Sequence, residues 1–276
     1  MNLKIVLRLL LILIGLYVLS VVLVYALQKY YIFRPQVLKT NHQYQFDYPF
    51  EEFYLTTEDS VRLNALYFAG QGVKKGAVLY CHGNSDNLQR WGRYHPDFTG
   101  RGYDVLIFDY RGYGKSGGPV GDEAAFYQDA RSAYQWLRQR YQPEEIILYG
   151  RSLGTAPASR LATELPARLL LLETPFDNIR GAIGSRLPEF MMPFSFSYRF
   201  PNDEHLQAIN CPVYILQGTA DRIVPYQSAL RLKPHLKPKD DFFTIEGGKH
   251  RNLSSFESYQ QQLDVLLGIN EFKSER

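Results

Sequence analysis

Hydrophobic and polar positions divide the chain into two very different parts. Residues 9–27 are 19 consecutive uncharged residues, mostly Leu, Ile and Val, with apolar side chains on every helical face. At about 1.5 Å per residue such a helix spans roughly 28 Å, close to the thickness of a bilayer's hydrocarbon core. Tyr25, Tyr30, Tyr31 and Phe33 sit near its end, where an interfacial aromatic belt belongs. The expected reading is a retained single-pass membrane anchor over residues 1–28. Two alternatives stand beside it: a cleaved signal peptide, with Val24-Tyr25-Ala26 near the peptidase site, and a core helix buried on all sides. Lys4 and Arg8 precede the run and Lys29, Arg34 and Lys39 follow it, so flanking charge favours neither membrane orientation.

Residues 29–49 read as a juxtamembrane connector. Beyond them the apolar period shortens. Residues 51–57 and 61–69 read as two strands joined by the turn Glu58-Asp59-Ser60, and 77–81 as a third, nearly all apolar. Further strand-length apolar runs fall at 104–110, 146–149, 169–173, 213–217 and 242–246. Helical spacing lies between most of them, as in Phe126, Ala130, Ala133 and Leu137. A last helix is expected to open on the capping box Ser254-Ser255-Phe256-Glu257 and to carry Phe256, Tyr259, Leu263 and Leu266 on one face. Such alternation predicts one α/β domain over residues 50–270, a mainly parallel sheet with helices on both faces. Residues 175–210 show no clear period. Phe190, Met191, Met192 and Phe194 there are candidates for a short acyl-binding lid, the alternative being a satellite core.

Composition narrows the choices. With 45% hydrophobic and 21% charged residues and a net charge of +3, the chain is too apolar for disorder. It also lacks the basic aromatic-interleaved blocks of a nucleic-acid binder. Two cysteines make neither a disulfide scaffold nor a thiolate zinc site. Cys81 should end one parallel strand and Cys211 begin another, at opposite sheet edges and too far apart to bond.

In parallel sheets ligands bind beyond the carboxyl ends of the strands, so the informative residues follow each apolar run. After residues 146–149 comes Gly150-Arg151-Ser152-Leu153-Gly154, a G-x-S-x-G turn between strand and helix that lifts a serine clear of the sheet. A serine nucleophile needs a base. His250 follows the last strand and fits; His42, His95, His205 and His235 fall in the connector, in a helix or near the opposite edge. The base needs an acid to fix its tautomer. Asp221, in Gly218-Thr219-Ala220-Asp221 one strand earlier, is preferred over Asp177 and Glu173. Two N–H groups should face the oxyanion. Leu153 and Asn84 are the candidates, with His82 and Gly83 supporting the Asn84 loop.

These strings resemble the α/β-hydrolase superfamily. So do Phe108-Asp109-Tyr110-Arg111-Gly112-Tyr113-Gly114-Lys115-Ser116-Gly117 and Gly218-Thr219-Ala220-Asp221-Arg222-Ile223-Val224-Pro225. Residues 50 to 268 are similar to its membrane-anchored, small-lid branch of ABHD-type lysophospholipases and palmitoyl-protein thioesterases. The resemblance implies an eight-stranded sheet, a Ser-His-Asp mechanism and no cofactor. The expected function is therefore a membrane-anchored serine hydrolase of acyl esters or thioesters, with lipid or acylated protein as substrate. Peptidase or amidase activity is the alternative, followed by an inert scaffold used for interaction. Other motif matches fail: Asp109 stands where a Walker loop needs its first glycine, and Asn87 where an H-x-x-x-x-D acyltransferase needs its acid. The sequon Asn252-Leu253-Ser254 is set aside because Ser254 is expected to cap the last helix.

Overall fold

The computed structural model describes residues 3–184 and 188–268; residues 185–187 of the expected lid and 269–270 of the expected domain lie outside the described residues. In chain order the first elements are α1 (Leu3–Ile32), β1 (Arg34–Pro35), β2 (Glu51–Thr56), β3 (Arg62–Phe68), β4 (Gly76–Cys81) and β5 (Ser85–Asp86). Next come α2 (Leu88–Trp91), α3 (Pro96–Thr99), β6 (Tyr103–Phe108), α4 (Glu123–Arg138), β7 (Ile146–Arg151) and α5 (Thr155–Glu164). The last are β8 (Leu169–Glu173), α6 (Ile179–Ile183), α7 (Asn202–Ala208), β9 (Val213–Gly218), α8 (Tyr226–Leu230), β10 (Asp241–Ile245) and α9 (Glu257–Leu266).

Eight strands form one sheet in the order β10-β9-β8-β7-β4-β6-β3-β2. β3 runs antiparallel to both its neighbours, and the other pairs are parallel. The central strands β4, β6, β7 and β8 are buried along their whole length, which is why they read as unbroken apolar runs. Their side chains alternate between two cores. Leu79 and Leu148 face the one completed by Phe126 and Leu137 of α4 and Leu161 of α5. Tyr80 and Tyr149 face the one completed by Phe98 of α3 and Tyr259 and Leu263 of α9. The expected mostly parallel, eight-stranded sheet covered on both faces is the fold observed.

Two local expectations change. β6 ends at Phe108, not at 110: the Asp109 N–H still donates to the Asn64 carbonyl of β3 at 2.9 Å, but its side chain turns toward His82. The expected capping box does not form: α9 starts at Glu257 with Phe256 at the cap position and no side-chain cap bond, and Ser254 lies in a preceding 3-10 turn. The Asn252 side chain closes the loop ahead of that turn, accepting from the Lys249 N–H at 2.7 Å.

The helix α1 is 30 residues long, with a mean hydropathy of 2.8 in its most apolar window and only 6% of that window buried. Its buried residues are Val24, Gln28 and Ile32, one stripe at four-residue spacing. That stripe meets the segment expected as a lid. The Ser197 N–H donates to Gln28 Oε1 at 2.7 Å, Tyr25 packs edge-on against Phe194 with centroids 5.1 Å apart, and the Tyr17 hydroxyl donates to the Phe190 carbonyl at 2.7 Å. The helix continues past the boundary expected at residue 28, and the chain beyond its end is tied down. β1 pairs in parallel with β5, and Phe33 enters an aromatic cluster with Phe126, Tyr198 and Phe200.

Candidate active site

Strand order places the ends of β4, β7, β9 and β10 along one rim. β7 delivers Ser152 on a turn whose φ of +53° is in the left-handed region, a strained conformation for a residue with a side chain. The chain then winds through one 3-10 turn directly into α5. A Cβ at Gly154 would collide with the Cys81 carbonyl at the end of β4, and one at Gly150 would lie 2.6 Å from Thr155 Cα. The turn therefore closes only with glycine at both positions.

Ser152 meets two residues from distant loops. His250 Nε2 lies 2.9 Å from Ser152 Oγ, and His250 Nδ1 lies 2.7 Å from Asp221 Oδ2. An ionised carboxylate only accepts, so Nδ1 carries the proton and Nε2 is left to accept from the serine hydroxyl. Asp221 is itself fixed: Oδ1 accepts from the Ile223 and Val224 N–H groups at 2.8 and 3.0 Å, and Oδ2 accepts from Gln217 Nε2 at 3.3 Å. The Asp221 and His250 loops touch through their backbones. The Ala220 N–H donates to the Gly248 carbonyl at 2.9 Å, and a Cβ at Gly218 would overlap Gly248.

The competing acids are engaged elsewhere. Asp177 accepts from Ser228 Oγ at 2.6 Å and from Arg231 Nε at 2.5 Å. Glu173, nearly inaccessible, accepts from Tyr149 and Tyr259 and pairs with Arg151 Nε at 2.9 Å. Burial, and after it the Glu173 charge, pushes both phenols up, so they stay hydrogen donors. Arg151 Nη2 reaches the His250 carbonyl at 3.5 Å, so the residue before the serine also touches the histidine loop. His205 pairs with Ser159, His95 with Thr99 and His42 with Gln89, all away from the serine.

The loop after β4 is braced from several directions. His82 is fully buried, its Nδ1 2.7 Å from the Gly83 carbonyl and its Nε2 3.4 Å from Asp109 Oδ1. Burial raises the Asp109 carboxyl, against the opposing pull of His82. The Asn84 carbonyl accepts from the Arg34 N–H at 2.8 Å and the Tyr113 hydroxyl at 2.9 Å, while Asn84 Nδ2 donates to the Ile32 carbonyl at 2.8 Å. The end of α1 thus holds the loop expected to supply an oxyanion donor.

Gly83, Asn84, Ser152 and His250 line a single cleft together with Trp91, Ile223 and four arginines, Arg34, Arg90, Arg151 and Arg251. None of Phe190, Met191, Met192 or Phe194 lines it, which corrects their expected place beside the serine. Met192 is buried in the core, Phe194 packs against Tyr25, and Phe190 is exposed beside Tyr17. The physical reason for Phe190 and Phe194 is the neighbour: α1 offers a long apolar flank beside which both rings lie. Sequence reasoning missed Gln217 and the arginine lining. A glutamine one residue from the end of a buried strand was the available signal for the first; the second arises from segments that meet only in the fold.

Among the described residues no group of His, Cys, Asp and Glu is arranged to hold a metal ion. Both cysteines are free, Cys81 at the end of β4 and Cys211 just before β9.

The serine aminopeptidase (S33) family model of Hydrolase_4 matches residues 72–195, a stretch holding the Asn84 loop and the serine turn but ending before Asp221 and His250. The lysophosphatidylserine lipase ABHD12 of Danio rerio is 31% identical over 245 residues, 72% of this chain, and the chain spans only 60% of that lipase's length. An uncharacterised Mycobacterium tuberculosis protein is 31% identical over 199 residues, covering 71% of this chain and 70% of its own. Among solved structures, the esterase Pf2001 of Pyrococcus furiosus superposes with a TM-score of 0.70 at 21% identity, over 86% of this chain and 97% of the esterase. With its sheet order and strand-to-helix serine turn, the chain belongs to the α/β-hydrolase superfamily and is of the ABHD type.

Proposed function

We propose that the protein is a membrane-anchored hydrolase of carboxylic esters or thioesters, with Ser152, His250 and Asp221 as its catalytic triad. The observation that carries this reading is the imidazole of His250 bridging Asp221 at 2.7 Å and Ser152 at 2.9 Å. In the reaction, Ser152 Oγ attacks the acyl carbon while its proton moves to His250 Nε2. Negative charge on the carbonyl oxygen is met by the N–H groups of Leu153 and Asn84. The bond from acyl carbon to the leaving alcohol or thiol then breaks, and the leaving group takes the proton from His250. Water, deprotonated by the same nitrogen, attacks the acyl enzyme and frees the carboxylic acid and Ser152. Asp221 holds the imidazole tautomer and stabilises the imidazolium. The apolar, largely uncovered α1 supports insertion of the N-terminus into a bilayer, which would bring acyl lipids or acylated proteins to the site.

A fluorophosphonate probe tests the nucleophile. It should label the full chain in detergent and leave Ser152→Ala unlabelled; equal labelling of both overturns the assignment. The aminopeptidase family match gives the amide reading a specific observation. A p-nitrophenyl ester series of increasing chain length, run beside aminoacyl arylamides, separates the two. Ester turnover well above arylamide turnover is the expected result.

A further inference from the structure

Residues 34–38, just past α1, lie between two loops of the sheet rim and are bonded through their main chain to both. On one side the Arg34 N–H donates to the Asn84 carbonyl at 2.8 Å and the Gln36 N–H to the Asp86 carbonyl at 3.2 Å, the bonds of the β1–β5 pairing. On the other side the Gly114 N–H donates to the Gln36 carbonyl at 3.1 Å, and the Leu38 N–H to the Gly114 carbonyl at 2.8 Å. Ile32 and Phe33, immediately before, are buried. The last carbonyls of a helix have no partner within it, and that of Ile32 accepts from Asn84 Nδ2 at 2.8 Å. A passive tether between anchor and enzyme has no use for bonds on both of its edges.

Asn84 is where these bonds converge. Its side chain holds Ile32, and its carbonyl accepts from Arg34 and from the Tyr113 hydroxyl at 2.9 Å, while its own N–H donates to no acceptor among the described residues. Gly83, before it, is wedged: a Cβ there would lie 2.9 Å from Trp91 Cη2 and 3.5 Å from Ser152 Cβ. An N–H stabilises a forming oxyanion only from about 2.7–3.1 Å, and a misplacement of about 1 Å can cost about 10²-fold. We infer that the last turn of α1 and β1 are positioning elements of the active site: the main-chain groups of Ile32 and Arg34 act through Asn84 to set its N–H at the oxyanion. The inference rests on the ester-hydrolase reading, in which Asn84 supplies that donor. It adds that the apolar helix ends as a brace of the catalytic apparatus.

The test uses the full chain in detergent, with p-nitrophenyl butyrate as substrate and a hexyl trifluoromethyl ketone as inhibitor. The ketone carbon bonds to Ser152 Oγ, the serine proton passes to His250, and the ketone oxygen becomes an anion where the oxyanion of the reaction forms. Asn84→Ala removes the amide that holds Ile32 and keeps the Asn84 N–H. Arg34→Pro removes the N–H given to Asn84; Arg34→Ala keeps it and serves as its reference. Asn84→Ala should lower kcat at least about tenfold below wild type, and Arg34→Pro at least about tenfold below Arg34→Ala, each with little change in KM. Ketone binding should weaken by the factor that kcat/KM loses, because both report the oxyanion. The pH at which kcat/KM is half-maximal should stay in place, since Asp221 and His250 are untouched. A thermal melt identifies folded variants; should Arg34→Pro not fold, Asn84→Ala decides alone. A smaller loss in Asn84→Ala overturns the inference, and so does a folded Arg34→Pro no worse than Arg34→Ala. A loss with a shifted pH profile, or with unweakened ketone binding, also overturns it, because the fault then lies in the triad or the general fold. In each of these cases Ser152-dependent hydrolysis by wild type leaves the hydrolase reading standing. If wild type neither cleaves the ester nor takes the fluorophosphonate probe, that reading falls and this inference with it.

Discussion

Replacing Asp221 by asparagine probes the proposed triad with little change in volume. The asparagine oxygen can keep the bonds from the Ile223 and Val224 N–H groups, so the turn after β9 should hold. The change falls on the side facing His250. An amide NH2 where Asp221 Oδ2 now accepts at 2.7 Å would offer hydrogens to Nδ1, and Gln217 can turn its amide oxygen toward the new group. The imidazole would then carry its proton on Nε2, pointing at Ser152 Oγ, and could no longer take the serine proton. Loss of both the tautomer and the charge that stabilises the imidazolium should cost on the order of 10⁴ in kcat, about 5.5 kcal/mol of barrier. The assay is kcat on p-nitrophenyl butyrate, with a thermal melt to establish that the variant is folded. Asp177→Asn is the companion variant: the Asp177 carboxylate is held by Ser228 and Arg231, away from His250, and kcat should stay within about twofold. A folded Asp221→Asn variant that loses less than about tenfold, or an Asp177→Asn variant that loses more than it, would refute the assignment of the acid.

Three further outcomes are expected from the geometry. Gly154→Ala sets a methyl against the Cys81 carbonyl, backbone against side chain with little room to yield, and should lower stability by about 1–3 kcal/mol in a denaturant titration. Slower fluorophosphonate labelling should accompany it, because Gly154 closes the serine turn. Glu173→Ala leaves the buried Arg151 without its ion partner and should cost about 3–5 kcal/mol by the same titration, whereas a cost below about 1 kcal/mol would show the pair to be dispensable. Asp97 is raised to about 6 by burial and secondarily by the Glu173 charge. A carboxyl raised on folding destabilises the native state above that value and ceases to do so as pH falls through it toward the unfolded value near 4. Asp97→Asn should therefore raise the melting temperature at pH 7, and the gain over wild type should shrink between pH 6 and pH 4.

Residues that carry both halves of a local signal were legible in the sequence. Ser152 stood out because its glycines and the strand before it are contiguous, and His250 because it follows the last apolar run. β4, β7 and β8 were visible as unbroken apolar stretches, since burial on both faces removes any alternation. Where two helix or turn solutions compete locally, the chain was less informative. Ser254 and Glu257 have capping-box spacing, yet Ser254 falls in a 3-10 turn and the helix begins at Glu257 without a side-chain cap. Phe190, Met191, Met192 and Phe194 have no period, so nothing local revealed that they would lie away from the serine cleft, with Met192 in the core and Phe194 against α1. Arg34 and Arg251 are separated by most of the chain, and their shared cleft exists only once β1 has paired with β5.

The hydroxyl of Tyr17 grips Phe190 about 22 Å, at 1.5 Å per residue, from the Ile32 end of α1. A bilayer thick enough to cover residues 9–27 would therefore cover the tip of the neighbouring loop as well. The globular body would ride not on a stalk but with a keel, sunk alongside its own mast. Because Asn84 is lashed to Ile32 and Arg34, the serine would keep a set height above the waterline, and only esters floating at that level would reach it.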